Sequence, residues 1–337
     1  MSVLIRKVVG LASAKVFATR SHFWEGMIRR NLSKKSSGNF WTSFLIGFKI
    51  IDRHNFMQPV LIIQGGAGRG FKELGQRAKF GRKISRILNL AYKKLLQTDA
   101  LEAVTYAVRL LEDDPEFNAG TGSQLQADGK ARLSASIMDG SSLRFAGVIN
   151  LEKIKNPILV ARALLEEKDR VLAGEGALRY AVKKLGLKPR DTRTKESIRR
   201  WKKQKDGAYD TVGACALDRQ GNLASATSTG GRGFEWPGRV SDSAMPIANY
   251  ASEHCAVSAT GIGEEIVDEG LTVKIATRVQ DGLGLAKAFK KTFAELRLRG
   301  RRMGAVGLDE KGNVAYDTTT EVLIFGWKRG RKERVGP

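Results

Sequence analysis

The chain has 337 residues, of which 42% are hydrophobic, so it is long enough and apolar enough to bury a full core. No apolar run approaches the length of about 18 residues that suggests a membrane-spanning helix, which favours a soluble, cytoplasmic protein. The two cysteines and three scattered histidines lack the spacing of a disulfide framework or a zinc site, so the chemistry is predicted to require no cofactor.

The formal net charge of +23 has two interpretations. A strongly basic balance is typical of proteins that bind nucleic acids or acidic surfaces, and basic residues are densest in 183–205 and 328–334. Such a balance is also typical of solvated, flexible segments. The second interpretation is favoured, because no helix-turn-helix, RNA-binding signature or basic–aromatic repeat accompanies the charge.

Residues 1–57 differ in composition from the rest of the chain and are predicted to form a basic N-terminal extension. They are rich in Lys, Arg and Ser, hold only the carboxylates of Glu25 and Asp52, and lack a strand pattern punctuated by turns. An organelle transit peptide and sequence translated upstream of a misassigned start codon both have this composition. The two alternatives stay open, and with them the targeting of the chain to an organelle.

The first predicted elements of the globular body are a strand and two helices. Pro59–Gly68 is a short apolar run ending in glycines, which indicates a buried strand that leads into a backbone loop. Residues 82–96 and 99–112 repeat apolar side chains every three or four positions, so each is predicted to be a helix with one buried face.

The next stretch mixes strands and helices before its pattern is lost. Segments 123–127 and 131–138 flank the turn residues Asp128 and Gly129, which predicts a hairpin. Apolar periodicity then predicts a strand and two helices, at 146–151, 157–167 and 173–185. The basic, polar stretch 183–210 breaks the periodicity and is predicted to be a flexible linker.

Two further hairpins are predicted after the linker. Segments 211–229 and 304–316 each consist of two strand-like runs joined by a short turn that contains glycine. Between them, 262–276 and 285–298 have helical periodicity. Sheets at both ends of the body with helices outside predict an α+β fold of the layered αββα sandwich type.

Thr211 directly follows the linker and opens a predicted buried strand. A threonine hydroxyl is a weak nucleophile that needs a base, and the three histidines are badly placed to serve. If the bond between Asp210 and Thr211 is cut, the new α-amino group, with a pKa of about 8, lies on the same residue and can act as that base. On this feature alone, an ordinary strand threonine is the more common explanation.

Ordered sequence blocks make the pattern around Thr211 specific. DTVG, TSTGG, GRVSDS and ATGIGE follow one another downstream, and IIQGGAG, FNAGTGS, LSASIMDG and IKNPI stand in order upstream. Over about residues 59–327 these blocks resemble the plant-type asparaginase/isoaspartyl peptidase family of N-terminal-nucleophile hydrolases. The resemblance implies one four-layer αββα domain over 58–327, which cuts itself into an α part ending at Asp210 and a β part starting at Thr211. The tail 328–337 would lie outside it.

The resemblance implies isoaspartyl peptidase activity together with L-asparaginase activity, on β-aspartyl dipeptides and L-asparagine. Thr211 would be the nucleophile, and Thr229 would hydrogen-bond and orient its hydroxyl. Thr260 and the amide of Gly261 match the oxyanion hole that stabilises a tetrahedral intermediate. Asn118 matches a residue near the nucleophile that assists self-cleavage.

The same resemblance implies how the substrate is held. Arg239 matches the residue that grips the α-carboxylate, which a planar guanidinium does well with two parallel bonds. Asp242 matches the residue that holds the α-ammonium, and Gly261 lies on the substrate side of the oxyanion hole. The resemblance also implies a structural sodium ion, held by backbone carbonyls of Leu111, Glu112, Phe117, Ala119 and Thr121.

The chain departs from the family pattern at the rim of the expected site. Gln64 replaces the usual histidine of HGGAG, Ser241 replaces a glycine of GRVGDS, and 232–236 reads RGFEW where the common form is MTNKL. These changes are expected to alter the preference among asparagine, β-aspartyl dipeptides and bulkier amides. They remove no catalytic group.

Two alternatives remain beside the peptidase. A glycosylasparaginase carries TSTNG where this chain has Gly230 and Gly231, which favours the peptidase. A basic nucleic-acid-binding protein on a degenerate scaffold would use 183–205 as its contact strip, but the intact site residues argue against a nucleic-acid partner. Family assembly implies a homodimer of αβ units.

Overall fold

The computed structural model describes residues 57–71, 75–203 and 211–336. Apart from Met57, the predicted N-terminal extension lies outside these ranges, and so does Asp210, one side of the predicted cleavage site. None of the helices in the described ranges combines the length and hydropathy needed to cross a membrane.

The larger of the two sheets in the described ranges has eight strands. They are β1 (Val60–Gly68), β2 (Leu133–Asp139), β3 (Arg144–Leu151), β4 (Val171–Ala173), β5 (Val212–Leu217), β6 (Leu223–Thr229), β11 (Val322–Arg329) and β12 (Lys332–Gly336). Their order is β12-β11-β1-β5-β6-β2-β3-β4. All neighbouring strands are antiparallel except β3 and β4, which are parallel.

The smaller sheet has four antiparallel strands. They are β7 (Asn249–Ala251), β8 (Cys255–Gly261), β9 (Met303–Asp309) and β10 (Val314–Thr318), in the order β10-β9-β8-β7. The predicted hairpins at 211–229 and 304–316 are confirmed as β5–β6 and β9–β10, one in each sheet.

Eight α-helices occur in the described ranges: α1 (Gln76–Leu95), α2 (Ala100–Asp113), α3 (Pro157–Leu164), α4 (Gly174–Lys183), α5 (Lys195–Lys202), α6 (Gly263–Glu269), α7 (Leu271–Arg278) and α8 (Leu285–Leu298). The helical periodicity of 82–96, 99–112 and 285–298 is confirmed as α1, α2 and α8. The single helix predicted at 262–276 is two helices, because Gly270 takes a left-handed φ of 56° between them.

Strand β1 shows why the sequence there is apolar without alternation. Successive side chains of a strand point to opposite faces. Leu61 and Ile63 join a core with α1 and α2, whereas Val60 and Ile62 join a second core that includes Val306 and other residues of β9. A strand buried on both faces has no exposed side on which polar residues would be placed.

The segment predicted as a flexible linker contains structure. Helix α5 begins with a capping box, in which the Thr194 hydroxyl accepts from the amide of Ser197 at 2.9 Å and the Ser197 hydroxyl accepts from that of Thr194 at 2.9 Å. The indole of Trp201 donates to the carbonyl of Gln126 at 3.0 Å and packs beside Gly129. The linker prediction was therefore wrong for 195–202, and 204–210 lies outside the described residues.

Two other boundaries differ from prediction. The tail continues as β12, which pairs with β11 from Arg329↔Lys332 to Phe325↔Gly336, so the domain runs past residue 327. Residues 123–126 form no strand; the backbone there bonds to the loop after β6, with Phe234 donating to the Leu125 carbonyl at 2.9 Å. The first arm of the hairpin predicted around Asp128 was therefore wrong.

Candidate active site

Thr211 directly precedes β5 and lies opposite Thr229, the last residue of β6. The hairpin pairs Val212 with Ser228. Thr211, which precedes Val212, therefore faces Thr229, which follows Ser228. The Thr211 hydroxyl donates to the Thr229 hydroxyl, with 3.3 Å between the oxygens. Both side chains are buried. The register of one hairpin thus brings two predicted site residues into contact.

The Thr229 hydroxyl also fixes the loop that follows it. Its oxygen accepts from the amide of Gly231 at 3.1 Å. Gly231 has φ 83°, a left-handed conformation that favours glycine, and the Glu235 carboxylate lies where a Cβ would stand. The turn after β6 is therefore tied to the same hydroxyl that contacts Thr211.

One cavity collects most of the predicted site residues. Five of them line it, namely Thr211, Thr229, Arg239, Asp242 and Gly261. Gly231, Arg232, Ser241 and Gly263 complete the lining. These residues come from the position before β5, the end of β6, the loop after β6, the end of β8 and the start of α6, so both sheets contribute to the cavity.

Arg239 and Asp242 converge at Gly263. A Cβ on Gly263 would lie 2.5 Å from both Arg239 Nη2 and Asp242 Oδ1, so only glycine fits between them. Arg239 Nε donates to Glu264 Oε1 at 2.7 Å, and its side chain is 15% exposed. Although burial opposes it, the bond to Glu264 raises the pKa of the Arg239 guanidinium, so the cation is retained.

Asp242 is the carboxylate of this cavity. Burial raises its pKa to about 6, and the nearby Arg239 only partly offsets that effect. Oδ1 accepts from the Ser241 hydroxyl at 3.2 Å, whereas Oδ2 has no hydrogen-bond partner among the residues that the structure describes. A buried carboxylate oxygen without a partner can accept from a cationic ligand in the cavity.

Thr260 and Gly261 end strand β8 beside the cavity. The fully buried Thr260 hydroxyl accepts from the amide of Ala67 at 3.2 Å, which leaves its proton able to donate. Gly261 has φ 138°, and a Cβ there would lie 2.6 Å from Met303 Cα. The backbone of Gly261 therefore lines the cavity in a conformation and a space that require glycine.

A scan for known families matches an asparaginase family model to residues 57–209 and 202–335. The chain belongs to the asparaginase family. It is 41% identical over 298 residues to an isoaspartyl peptidase/L-asparaginase from Nostoc sp., covering 82% of this chain and 93% of that protein. An isoaspartyl peptidase from Escherichia coli is 36% identical, covering 80% of this chain and 92% of that protein. A plant-type L-asparaginase from Pyrobaculum calidifontis is 33% identical, covering 82% of this chain and 98% of that protein.

Asn118 lies behind the cavity wall instead of lining it. Its Nδ2 donates to the carbonyl of Gly231 at 2.6 Å, and its own carbonyl accepts from the amide of Gly230 at 2.9 Å. Its Oδ1 accepts from the amide of Gln124 at 2.9 Å. The structure thus places Asn118 as a support for the two glycines that follow Thr229.

The loop between α2 and β2 packs its backbone tightly around two glycines. Gly120 and Gly122 sit so close to carbonyl oxygens of Glu112, Lys155, Phe117 and Pro115 that a Cβ at either glycine would collide with them. Two of these carbonyls, those of Glu112 and Phe117, belong to the set predicted to hold a sodium ion, which stays a prediction. The Leu111 and Ala119 carbonyls also accept turn hydrogen bonds, from Asp114 and Gly122. The described residues contain no cluster of three His, Cys, Asp or Glu side chains suited to a metal.

The side chain of Glu112 has a role that the sequence did not indicate. It accepts from the hydroxyl of Ser228 at 2.7 Å, the amide of Ile158 at 3.1 Å and the Nδ2 of Asn156 at 3.2 Å. Burial raises its pKa to about 8. It connects α2 and α3 to the residue that precedes Thr229, and only the folded structure shows this convergence.

Gln64 stands where the family block has histidine, and it is fully buried. Its Oε1 accepts from the amide of Gly66 at 2.8 Å, where β1 and β11 shift register, and its Nε2 donates to the carbonyl of Ala259 at 3.5 Å. The substitution therefore links β1 to β8, near Thr260, without entering the cavity lining.

Proposed function

We propose that this chain is an isoaspartyl peptidase with L-asparaginase activity, which hydrolyses β-aspartyl amides with Thr211 as nucleophile. One observation carries the proposal: the Thr211 hydroxyl lies 3.3 Å from that of Thr229 in a cavity that also holds Arg239 and Asp242. The names of the relatives, isoaspartyl peptidase and L-asparaginase, support the same chemistry.

Maturation begins with cleavage before Thr211. Its hydroxyl attacks the carbonyl carbon of Asp210, the peptide C–N bond breaks, and the acyl group moves from nitrogen to oxygen. This shift frees the α-amine of Thr211, which takes the hydroxyl proton, and water then hydrolyses the ester to release the carboxyl of Asp210 and restore the Thr211 hydroxyl. The amine has an ordinary pKa of about 8, so a substantial neutral fraction can accept the hydroxyl proton in the next reaction.

Substrate hydrolysis uses the same hydroxyl a second time. As the α-amine takes its proton, the Thr211 oxygen attacks the β-carbonyl carbon and forms a tetrahedral oxyanion. The Thr260 hydroxyl and the Gly261 amide would donate to that oxyanion. The C–N bond breaks, the leaving amine takes the proton, and water hydrolyses the β-aspartyl ester to release aspartate and restore Thr211.

The aspartyl head is zwitterionic, and the cavity offers one group for each charge. The Arg239 guanidinium would bind the α-carboxylate by two parallel hydrogen bonds. Asp242 Oδ2, which lacks a partner in the described part of the chain, would accept from the α-ammonium. Gly263 keeps the two charged groups close together, which suits a head whose charges sit on one carbon.

The proposal extends to the fold and to metal use. Three buried clusters support a four-layer αββα arrangement. The first lies between α1–α4 and the large sheet, the second contains residues of both sheets, and the third lies between the small sheet and α6–α8. The reaction needs no cofactor. A sodium ion held by the carbonyls of the loop after α2 would fix the position of Asn118, and through it the loop after Thr229.

The assembly and the compartment are proposed from the sequence resemblance. We propose a homodimer of αβ units in the cytoplasm, with no nucleic-acid partner. A light-scattering mass of two αβ units supports the dimer, and a mass of one unit contradicts it.

Substitutions at Thr211 test the proposed function. Wild-type protein is expected to hydrolyse L-asparagine and β-aspartyl dipeptides, whereas Thr211→Ala should be folded but inactive. Thr211→Ser should mature slowly and retain part of the activity, because it keeps a hydroxyl and an α-amine while losing the methyl that restricts the rotamer. Wild-type turnover by Thr211→Ala would overturn the nucleophile assignment.

A further inference from the structure

Arg232 lines the same cavity and carries a second cation to its rim. Its Nη1 lies 3.9 Å from Glu264 Oε2, beyond hydrogen-bond distance, and its side chain is 46% exposed. Arg239 holds the other oxygen of the same carboxylate at 2.7 Å and is only 15% exposed. Glu264 is thus engaged mainly by Arg239, and Arg232 is loosely paired.

The backbone of Arg232 is fixed while its side chain is not. Its amide donates to Glu235 Oε1 at 3.2 Å, and it directly follows Gly231, whose amide is bonded to Thr229. Among the described residues, the pair with Glu264 is the only polar contact of its guanidinium. The long side chain therefore starts from a backbone that is tied to Thr229 through Gly231, and it can reorient towards a ligand at the rim.

The charges of the two substrate types differ at this end of the cavity. The aspartyl head requires one cation and one anion, which Arg239 and Asp242 supply. In L-asparagine the group beyond the scissile bond is a bare amide nitrogen without charge. In a β-aspartyl dipeptide it is an amino acid, whose carboxylate stands one carbon beyond the scissile nitrogen. Only the dipeptide therefore has a second carboxylate, which the loosely paired Arg232 guanidinium could bind.

We propose that Arg232 forms a subsite for the carboxylate of the leaving residue, which makes the site selective for β-aspartyl dipeptides with a free carboxyl end. This inference rests on the proposed function. Because the guanidinium is half-exposed, the contact is a weak ion pair, and it would supply a preference of up to about five-fold. Arginine suits the role since its planar fork can bind a carboxylate with two parallel bonds.

The test compares β-aspartyl-leucine with β-aspartyl-leucine amide, whose leaving residues end in a charged carboxylate and a neutral carboxamide respectively. The measured quantity is the ratio of kcat/KM for the acid to that for the amide. Variants are Arg232→Met, which keeps a long chain without charge, Arg232→Lys and Arg232→Glu. Arg331→Met, on an exposed turn between β11 and β12, is the control for loss of one positive charge. Maturation of every variant is checked on a denaturing gel.

The expected ratio is about five in wild type and in Arg331→Met, and close to one in Arg232→Met. Arg232→Lys should keep part of the preference, and Arg232→Glu should reverse it. An unchanged ratio in Arg232→Met, or equal rates on acid and amide in wild type, overturns the subsite alone. If wild type hydrolyses neither compound, the proposed function fails and the subsite fails with it.

Discussion

The hydroxyl of Thr211 donates to the hydroxyl of Thr229 across the β5–β6 hairpin, at 3.3 Å. The contact follows from the register, because Val212 pairs with Ser228 and places the next two residues opposite each other. Thr229 also accepts from the amide of Gly231. Its position is thus fixed from the loop side, and it can hold the Thr211 side chain in one rotamer.

Replacing Thr229 by alanine should slow turnover more than maturation. Loss of one orienting hydrogen bond, of about 1–2 kcal/mol, corresponds to a decrease in kcat of about five- to thirty-fold. Thr229→Ser is the matched control, since it keeps the hydroxyl and should stay within about three-fold of wild type. Equal losses in the two variants, measured by steady-state kinetics, would show that the hydroxyl is not responsible for the effect.

Arg239→Lys should weaken substrate binding and leave self-cleavage largely intact. A single ammonium cannot reproduce the two parallel bonds of a guanidinium to the α-carboxylate, so KM should rise by about ten- to hundred-fold. Arg331→Lys, on an exposed turn, is the control. Unchanged kinetics in Arg239→Lys would show that Arg239 does not contact the substrate.

The pH dependence should report the titration of Asp242. Its pKa is raised to about 6, and only the ionised form, present above that pH, binds the α-ammonium. The value of kcat/KM, which reflects the free enzyme, should therefore rise with pH through about 6, with a further rise near the pKa of the Thr211 amine, about 8.

The lower of these two rises has a specific control. The rise near pH 6 should be absent from the pH profile of kcat, because the bound ammonium keeps Asp242 ionised. It should also be absent from the pH profile of kcat/KM in Asp242→Asn. A rise near pH 6 that persists in Asp242→Asn would assign it to another group.

Gly261→Ala should destabilise the fold. The residue has φ 138°, which costs an alanine about 1–3 kcal/mol, and the new Cβ would lie 2.6 Å from Met303 Cα. Gly300→Ala is the matched control, with φ 66° and open space around it, and should cost about 1 kcal/mol. Thermal unfolding measures both. Equal losses of stability in the two variants would contradict the prediction, because the contact between the new Cβ and Met303 would then add no destabilisation.

Local sequence patterns predicted the elements whose stability is local or strongly periodic. Helix α2 has buried side chains at three- and four-residue spacing and an Asp99 cap that accepts from Glu102, so its limits were predicted to within one residue. The β5–β6 hairpin was predicted from its turn. Helix α5 was missed because only its capping box is local, and its tertiary anchor, Trp201, bonds to a residue 75 positions away.

For the candidate site, sequence motifs predicted a catalytic or substrate-binding role for five of the nine residues that line the cavity. Segment 232–236 was expected to alter substrate preference, but Arg232 received no individual role, because its nearness to Glu264 depends on how α6 packs against the loop after β6. The sequence indicated a role only for the backbone carbonyl of Glu112, and none for its buried carboxylate. Its bond to Ser228 joins residues 116 positions apart, which no local pattern shows.

The central claim is that Thr211 becomes an N-terminal nucleophile. The most direct measurement is the intact mass of the purified chain under denaturing conditions, alongside its rate on a β-aspartyl dipeptide. The account predicts a fragment that spans 211–337 in the active wild-type protein, and a single uncleaved chain in inactive Thr211→Ala. An uncleaved wild-type chain that hydrolyses the dipeptide at full rate would contradict it.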